Sequence, residues 1–214
     1  MSERELADTF TPNPVSSSEV AFEGMVWDVR REAVDLGRAG TVTREFLDHP
    51  GAVGVLALDD AGRVALVHQY RHPVGMTLWE LPAGLLDVEG EPPLLAAQRE
   101  LAEEADLQAG RWDVLIDWLL SPGGTSEAFR CYLARDLSPV PEHARHQRHG
   151  EELDMPTVWF DLDEVHAAVL ANRLSSPTLV VGVLAAHAGR VNGWSTLQPA
   201  DTPWPEHPRL RPKS

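Results

Sequence analysis

The sequence predicts an α/β (α+β) protein: an α/β/α sandwich around a mixed sheet, preceded by a small antiparallel β domain. Three observations lead there. Strand-like and helix-like stretches alternate irregularly, without the regular order of a parallel α/β fold. Short β-prone runs are punctuated by Gly, Pro and Asp turns. The chain has 214 residues, 43% of them hydrophobic, which suffices for one ordinary domain and an appendage. No internal repeat is found.

Taken in order, residues 1–18 are polar, contain two prolines and read as a flexible start. From Glu19 to Phe46 short alternating segments (VAFEGMVWDVRREAVDL, the turn GRAG, then TVTREFL) suggest antiparallel strands, so 19–48 is expected to form a small β-rich domain. His49-Pro50-Gly51 marks a change of composition, and the main domain is expected over 49–190. It opens with GVLALDDAGRVALVHQYR, where two apolar runs flank Asp59-Asp60-Ala61-Gly62, a hairpin signal. Trp79-Glu80-Leu81 is a short extended piece stopped by Pro82. Glu91-Pro92-Pro93 opens a helix, because proline costs nothing in a first turn that lacks N–H partners anyway; it runs to about Ala105. WDVLIDWLL and FRCYLA read as strands around the loop SPGGTSE, and TVWFDL as one more. Two helices follow, Asp163 to Asn172 and one capped by Ser176 that ends near Gly189. The tail, 191–214, is too proline-rich for regular structure.

The charge balance excludes some partners. Lys+Arg is 18 and Asp+Glu 33, a formal net charge of −15. Such a surface repels phosphate backbones and anionic lipid, so neither nucleic acid nor a membrane is expected as partner. No apolar run approaches the ~20 residues of a spanning helix. The first residues lack the basic start and apolar core of a secretion signal, so the cytoplasm is expected. Cys131 is the single cysteine and its neighbours are apolar, which reads as an inert buried thiol.

The helix 92–105 carries an anomaly. Leu94, Ala97 and Leu101 form its core stripe. Glu100 and Glu104 are i, i+4 neighbours and Glu100 and Glu103 are i, i+3 neighbours, so three carboxylates can meet in one small volume. Like charges so placed destabilise a helix by roughly 0.2–0.5 kcal/mol per pair, and the negative end of the helix dipole adds about 0.3–1 kcal/mol each. Arg99 can offset part by pairing with Glu103. The turn Pro82-Ala83-Gly84 ends a strand where a backbone carbonyl could face the same space. Clustered hard oxygen ligands suit Mg²⁺ or Mn²⁺; a solvated acidic face is the plainer alternative.

The stretch from Gly84 through Glu91 to Arg99-Glu100-Leu101-Ala102-Glu103-Glu104-Ala105-Asp106-Leu107 resembles the Nudix box, GX5EX7REUXEEXGU with U aliphatic. Two positions depart from it. Six residues rather than five separate Gly84 from Glu91, a cheap change in a loop, and Asp106 stands where the family has glycine. Aspartate tolerates the left-handed conformation that a helix end requires, and no carboxylate is lost. The resemblance implies a Nudix hydrolase with Glu100 and Glu104 as metal ligands, Glu103 close behind, the Ala83 carbonyl as a further ligand, and Arg99 holding the glutamates.

Two further stretches resemble the ADP-ribose pyrophosphatase branch: Gln69-Tyr70-Arg71 ahead of Trp79-Glu80-Leu81-Pro82-Ala83-Gly84, and Ser121-Pro122-Gly123. With the box, the resemblance spans about 51–185. It implies Mg²⁺-dependent cleavage of ADP-ribose to AMP and ribose 5-phosphate, and a homodimer built through residues 19–48. Arg71 could reach a phosphate with its planar fork, or form a surface ion pair. Glu80 could accept from an adenine amino group, or be structural. Pro122 and Gly123 would approach substrate, or merely turn the chain. In this branch a general base comes from a loop before a late strand; Glu151 aligns with it and Glu152 stands beside it, in what is otherwise a solvated acidic loop.

Other chemistries fare worse. His143, His146 and His149 have a zinc-like spacing but lie in a polar stretch without cysteine. No P-loop, HExxH, GxSxG or CxxC pattern occurs. Two alternatives stay open: cleavage of another nucleotide sugar or dinucleotide, and a sensor that binds without cleaving, although the chain has no basic DNA-binding segment.

Overall fold

A computed structural model describes residues 6–148 and 155–211. The chain forms two compact units. The first comprises Met1–Pro50, Leu120–Glu127 and Trp204–Ser214, so far as these are described, and the second Gly51–Leu119 and Ala128–Pro203.

In the first unit, β1 (Val15–Phe22), β2 (Asp28–Asp35) and β3 (Thr41–Asp48) make an antiparallel sheet in that order. The first strand begins at Val15, inside the stretch expected to be flexible. Its Ser17 and Ser18 pair with Ala33 and Glu32, so backbone pairing forms a strand where no hydrophobic alternation announces one. Ion pairs cross the outer surface, Arg31 meeting both Glu19 and Glu45. The loop 120–127 is stitched to the end of β3: Leu47 N–H donates to the Gly124 carbonyl (3.0 Å) and Ser126 N–H to the Leu47 carbonyl (2.9 Å). From Trp204 the tail runs in turns and bends, yet Trp204 and His207 are buried, and the Arg211 guanidinium lies over the Phe10 ring.

The second unit holds the main sheet. Its strands are β4 (Ala52–Ala57), β5 (Arg63–Arg71), β6 (Met76–Glu80), β7 (Ala83–Leu85), β8 (Leu107–Leu119), β9 (Ala128–Pro139), β10 (Thr157–Asp161) and the short β11 (Gln198–Pro199). A five-stranded sheet runs β11-β8-β9-β4-β7, mixed because β4 and β9 are parallel. A three-stranded sheet runs β10-β5-β6. The turn after β4 is present, with Asp59 Oδ1 accepting from the Ala61 and Arg63 N–H groups. The expected hairpin is not: β4 and β5 enter different sheets and share only the bridge Leu58–Val64. Both strands are buried on two faces, so apolar runs flanking a turn do not reveal which neighbour each takes.

Among the described residues the α-helices are α1 (Pro93–Ala105), α2 (Leu162–Leu170) and α3 (Pro177–Val191). Two cores result. Val53, Val55, Ala96, Ala97, Leu101 and Tyr132 pack beneath α1; Leu56, Leu66, Leu133, Leu162, Leu179 and Val183 pack beneath α2 and α3. Successive residues of β4 thus serve opposite cores, as strand geometry requires, and the mixed sheet is covered by helices on both faces, as expected.

Candidate functional site

The site is built where α1 passes β7, within the second unit. Helix α1 starts at the capping residue Pro92 and ends at Asp106, whose φ of 55° and ψ of 32° are left-handed. Its apolar face seats Ala97 and Leu101 in the core, which carries Glu104 into a buried position, 8% exposed. There a Glu104 carboxylate oxygen accepts the Ala83 N–H at 2.8 Å. One turn earlier, Glu100 lies against Gly84. A Cβ on Gly84 would stand 2.0 Å from Glu100 Oε1, so the side-chain-free position is what lets the carboxylate lie over the strand.

Arg99 gathers the remaining acids. It forms a fork with Glu91 (Nε to Oε1 3.1 Å, Nη2 to Oε2 2.9 Å). Its Nη1 donates to Glu100 at 2.6 Å and to Glu103 at 3.4 Å. Donating to the Glu91 carboxylate is the largest reason that Arg99 holds its proton more tightly than usual. Reciprocally, the bond from Arg99 holds the Glu91 carboxyl below its ordinary range. The extra residue between Gly84 and Glu91 therefore does not displace Glu91 from Arg99.

These contacts also describe how the acids stand relative to a cation. Among the described residues, no three His, Cys, Asp or Glu close around one point, because Arg99 draws Glu100 and Glu103 to itself. The acids are nonetheless carboxylate oxygens packed directly on strand backbone, Glu104 on the Ala83 N–H and Glu100 where a Cβ on Gly84 would stand. That chemistry fits a hard divalent cation.

Arg71 and Glu80, expected at substrate, face each other across β5 and β6. Arg71 Nε and Nη2 donate to the two Glu80 oxygens at 3.0 and 2.7 Å. Glu80 is buried while Arg71 remains largely exposed. Pro122 and Gly123 are exposed in the loop 120–127 of the first unit, just after Ser121, a residue with positive φ. Glu151, Glu152 and His149 lie outside the described residues. Cys131 is buried, and burial pushes its thiol up to about 12, consistent with an inert side chain.

Sequence reasoning passed over Arg148. Its guanidinium sits on the end of α1, with Nη2 donating to the Glu104 carbonyl and to Asp106 Oδ2, each at 2.9 Å. The hint was indirect: an aspartate at the helix-terminal position, and two arginines, Arg145 and Arg148, among the histidines of 143–149.

Residues 48–179 match the model of the NUDIX domain family. Among curated proteins, an ADP-ribose pyrophosphatase of Mycobacterium tuberculosis is 45% identical over 192 residues, covering 90% of this chain and 91% of that protein. An ADP-ribose pyrophosphatase of Bacillus subtilis is 39% identical, over 59% of this chain and 68% of the relative. A methanol dehydrogenase activator of Bacillus methanolicus is 33% identical, over 78% and 88%. A solved ADP compounds hydrolase superposes with a TM-score of 0.69 at 18% identity, covering 88% of this chain and 99% of the other, and shares the fold.

Proposed function

Because the chain belongs to the NUDIX domain family and is a Nudix hydrolase, we propose that it hydrolyses the diphosphate of ADP-ribose to AMP and ribose 5-phosphate. The observation that carries the reading is the placement of Glu100 and Glu104 against the Ala83–Gly84 backbone. The substrate is chosen from the 45% identity, over nine-tenths of the chain, to an ADP-ribose pyrophosphatase.

In this reading Glu100 and Glu104, with Glu103 behind them and the Ala83 carbonyl, would hold a divalent cation, Mg²⁺ or Mn²⁺. When bound, that cation supplies charge neutralisation of the diphosphate and polarisation of the attacking water. Arg99 keeps the glutamates aligned through Glu91, Glu100 and Glu103. Glu151, with Glu152 as its neighbour, takes the proton of the water as the new phosphorus–oxygen bond forms. The bridging oxygen leaves with its bonding electrons as part of a phosphate. Glu80 orients Arg71, which meets a phosphate, and Pro122 and Gly123 line the approach of substrate.

We further propose a cytoplasmic homodimer formed through residues 19–48. Its support is β1, exposed along its whole length, and the apolar Val20 and Phe22 at 47% and 65% exposure. No helix among the described residues is long and apolar enough to cross a membrane.

The test is release of AMP from ADP-ribose with added Mg²⁺, compared by kcat/KM with a panel of other nucleoside diphosphate derivatives. Glu104→Gln should lower kcat by more than the roughly hundredfold typical of outer partners of a metal site. Unchanged turnover in that variant would refute the site.

A further inference from the structure

The last turn of a helix leaves carbonyls without intrahelical partners, and its end carries partial negative charge. In α1 this is the turn that bears Glu103 and Glu104, so the backbone adds to an already anionic corner. Three groups from later in the chain meet it. Arg148 Nε donates to the Glu103 carbonyl at 3.3 Å and Nη2 to the Glu104 carbonyl at 2.9 Å. Thr157 Oγ1 donates to the same Glu104 carbonyl at 3.2 Å, and the Asp106 carbonyl accepts from Val140 N–H at 2.8 Å. Arg148 is itself oriented by Asp106, whose Oδ2 it meets at 2.9 Å, and it also reaches the Met155 carbonyl at 3.4 Å.

Asp106 is the residue at which the chain departs from the box. Glycine there would allow the left-handed turn as readily but would offer no carboxylate. The aspartate keeps the turn and adds an anchor for a guanidinium that grips two successive carbonyls. Arg99 holds the carboxylates of Glu91, Glu100 and Glu103; Arg148 holds the backbone of Glu103 and Glu104.

We propose that Arg148, fixed by Asp106, is a positioning residue that sets the last turn of α1 and thereby the aim of the Glu103 and Glu104 carboxylates. The inference rests on the reading of those carboxylates as cation ligands. A planar fork whose Nε meets the Glu103 carbonyl while its Nη2 meets the Glu104 carbonyl and Asp106 is a geometric device that a point charge cannot copy. A lysine would still offset the helix end electrostatically.

The experiment compares wild type, Arg148→Ala, Arg148→Lys, Asp106→Gly and Glu104→Gln. Mn²⁺ binding is followed by electron paramagnetic resonance on the metal-free protein, and turnover of ADP-ribose separately. Arg148→Ala should weaken Mn²⁺ binding and lower kcat by roughly tenfold or more, the range for residues that orient metal ligands, with KM for ADP-ribose little changed. Arg148→Lys should recover the thermal midpoint but not the Mn²⁺ affinity; recovery of both would show that charge alone suffices and overturn the proposal. Asp106→Gly should repeat the Arg148→Ala loss, and a variant carrying both Asp106→Gly and Arg148→Ala should lose no more than either alone. If Arg148→Ala does not fold, Asp106→Gly and Arg148→Lys decide the matter on the same two readouts. Wild-type Mn²⁺ affinity in Asp106→Gly and Arg148→Ala, with Glu104→Gln inactive, would overturn the positioning role alone. A fully active Glu104→Gln would overturn the underlying site.

Discussion

The two units hold their strands by different means. In the second, β4 is buried along its whole length between two apolar cores. In the first, no residue of β1 is buried, and polar pairing with ion pairs such as Arg31–Glu45 ties the sheet. Burial of apolar area is the larger force per residue, whereas exposed ion pairs contribute little. The catalytic apparatus proposed above follows the same division. Its carboxylates lean on the apolar seat of α1, because only a packed helix can keep like charges in place against their repulsion.

The comparison can be broken most sharply at Leu101, which is fully buried beneath the carboxylates. Leu101→Ala should cost about 2–5 kcal/mol of unfolding free energy, read by urea denaturation, and turnover should fall with it. A loss under about 1 kcal/mol would show that the core does not hold the helix.

A smaller effect is expected at Glu91. Its carboxyl is depressed by Arg99, so it is ionised in the fold at pH values where the unfolded chain has begun to bind protons. Its stabilisation is fully present above the ordinary value of 4.5 and is lost as pH falls through the lower folded value. Glu91→Gln should therefore cost about 1–2 kcal/mol at pH 7 and progressively less under acid. A gap between the two unfolding curves that did not narrow with acid would contradict this assignment.

The smallest effect on the protomer is expected on β1. Val20→Glu with Phe22→Glu should leave the unfolding midpoint of dilute protein nearly unchanged, yet convert a sedimenting dimer into a monomer. Wild type that sediments as a monomer at micromolar protein would remove the proposed assembly.

What could be read in the sequence follows the same contrast. Helix α1 was legible within a residue or two, because prolines open it, an apolar stripe runs through it and a left-handed residue closes it. The carboxylates announced themselves by violating the charge preferences of a helix end. The parallel pairing of β4 was not legible: β9 lies far along the chain, and two-sided burial erases the alternation that would betray a neighbour. Residues 15–18 and the burial of Trp204 and His207 were missed for a related reason. Neither a polar strand nor a proline-rich tail carries a periodic signal, and their placement depends on partners distant in sequence. Arg148 was invisible because its role is to meet backbone carbonyls, which every residue possesses.

The parallel pairing of β4 with β9 has a consequence for how the protein is made. Ala52 can meet Leu85 of β7 early, but its parallel neighbour Phe129 is synthesised much later, and β8, which completes the other edge of β9, emerges shortly before that. During translation the first three-stranded sheet and the local pairs β5–β6 and β4–β7 can close early, while the other edge of β4 waits for β9 and that of β5 for β10. Non-local closure of this kind is slow and leaves nascent chains prone to association. The interval before β9 emerges is therefore when this protein would most need the attention of a chaperone.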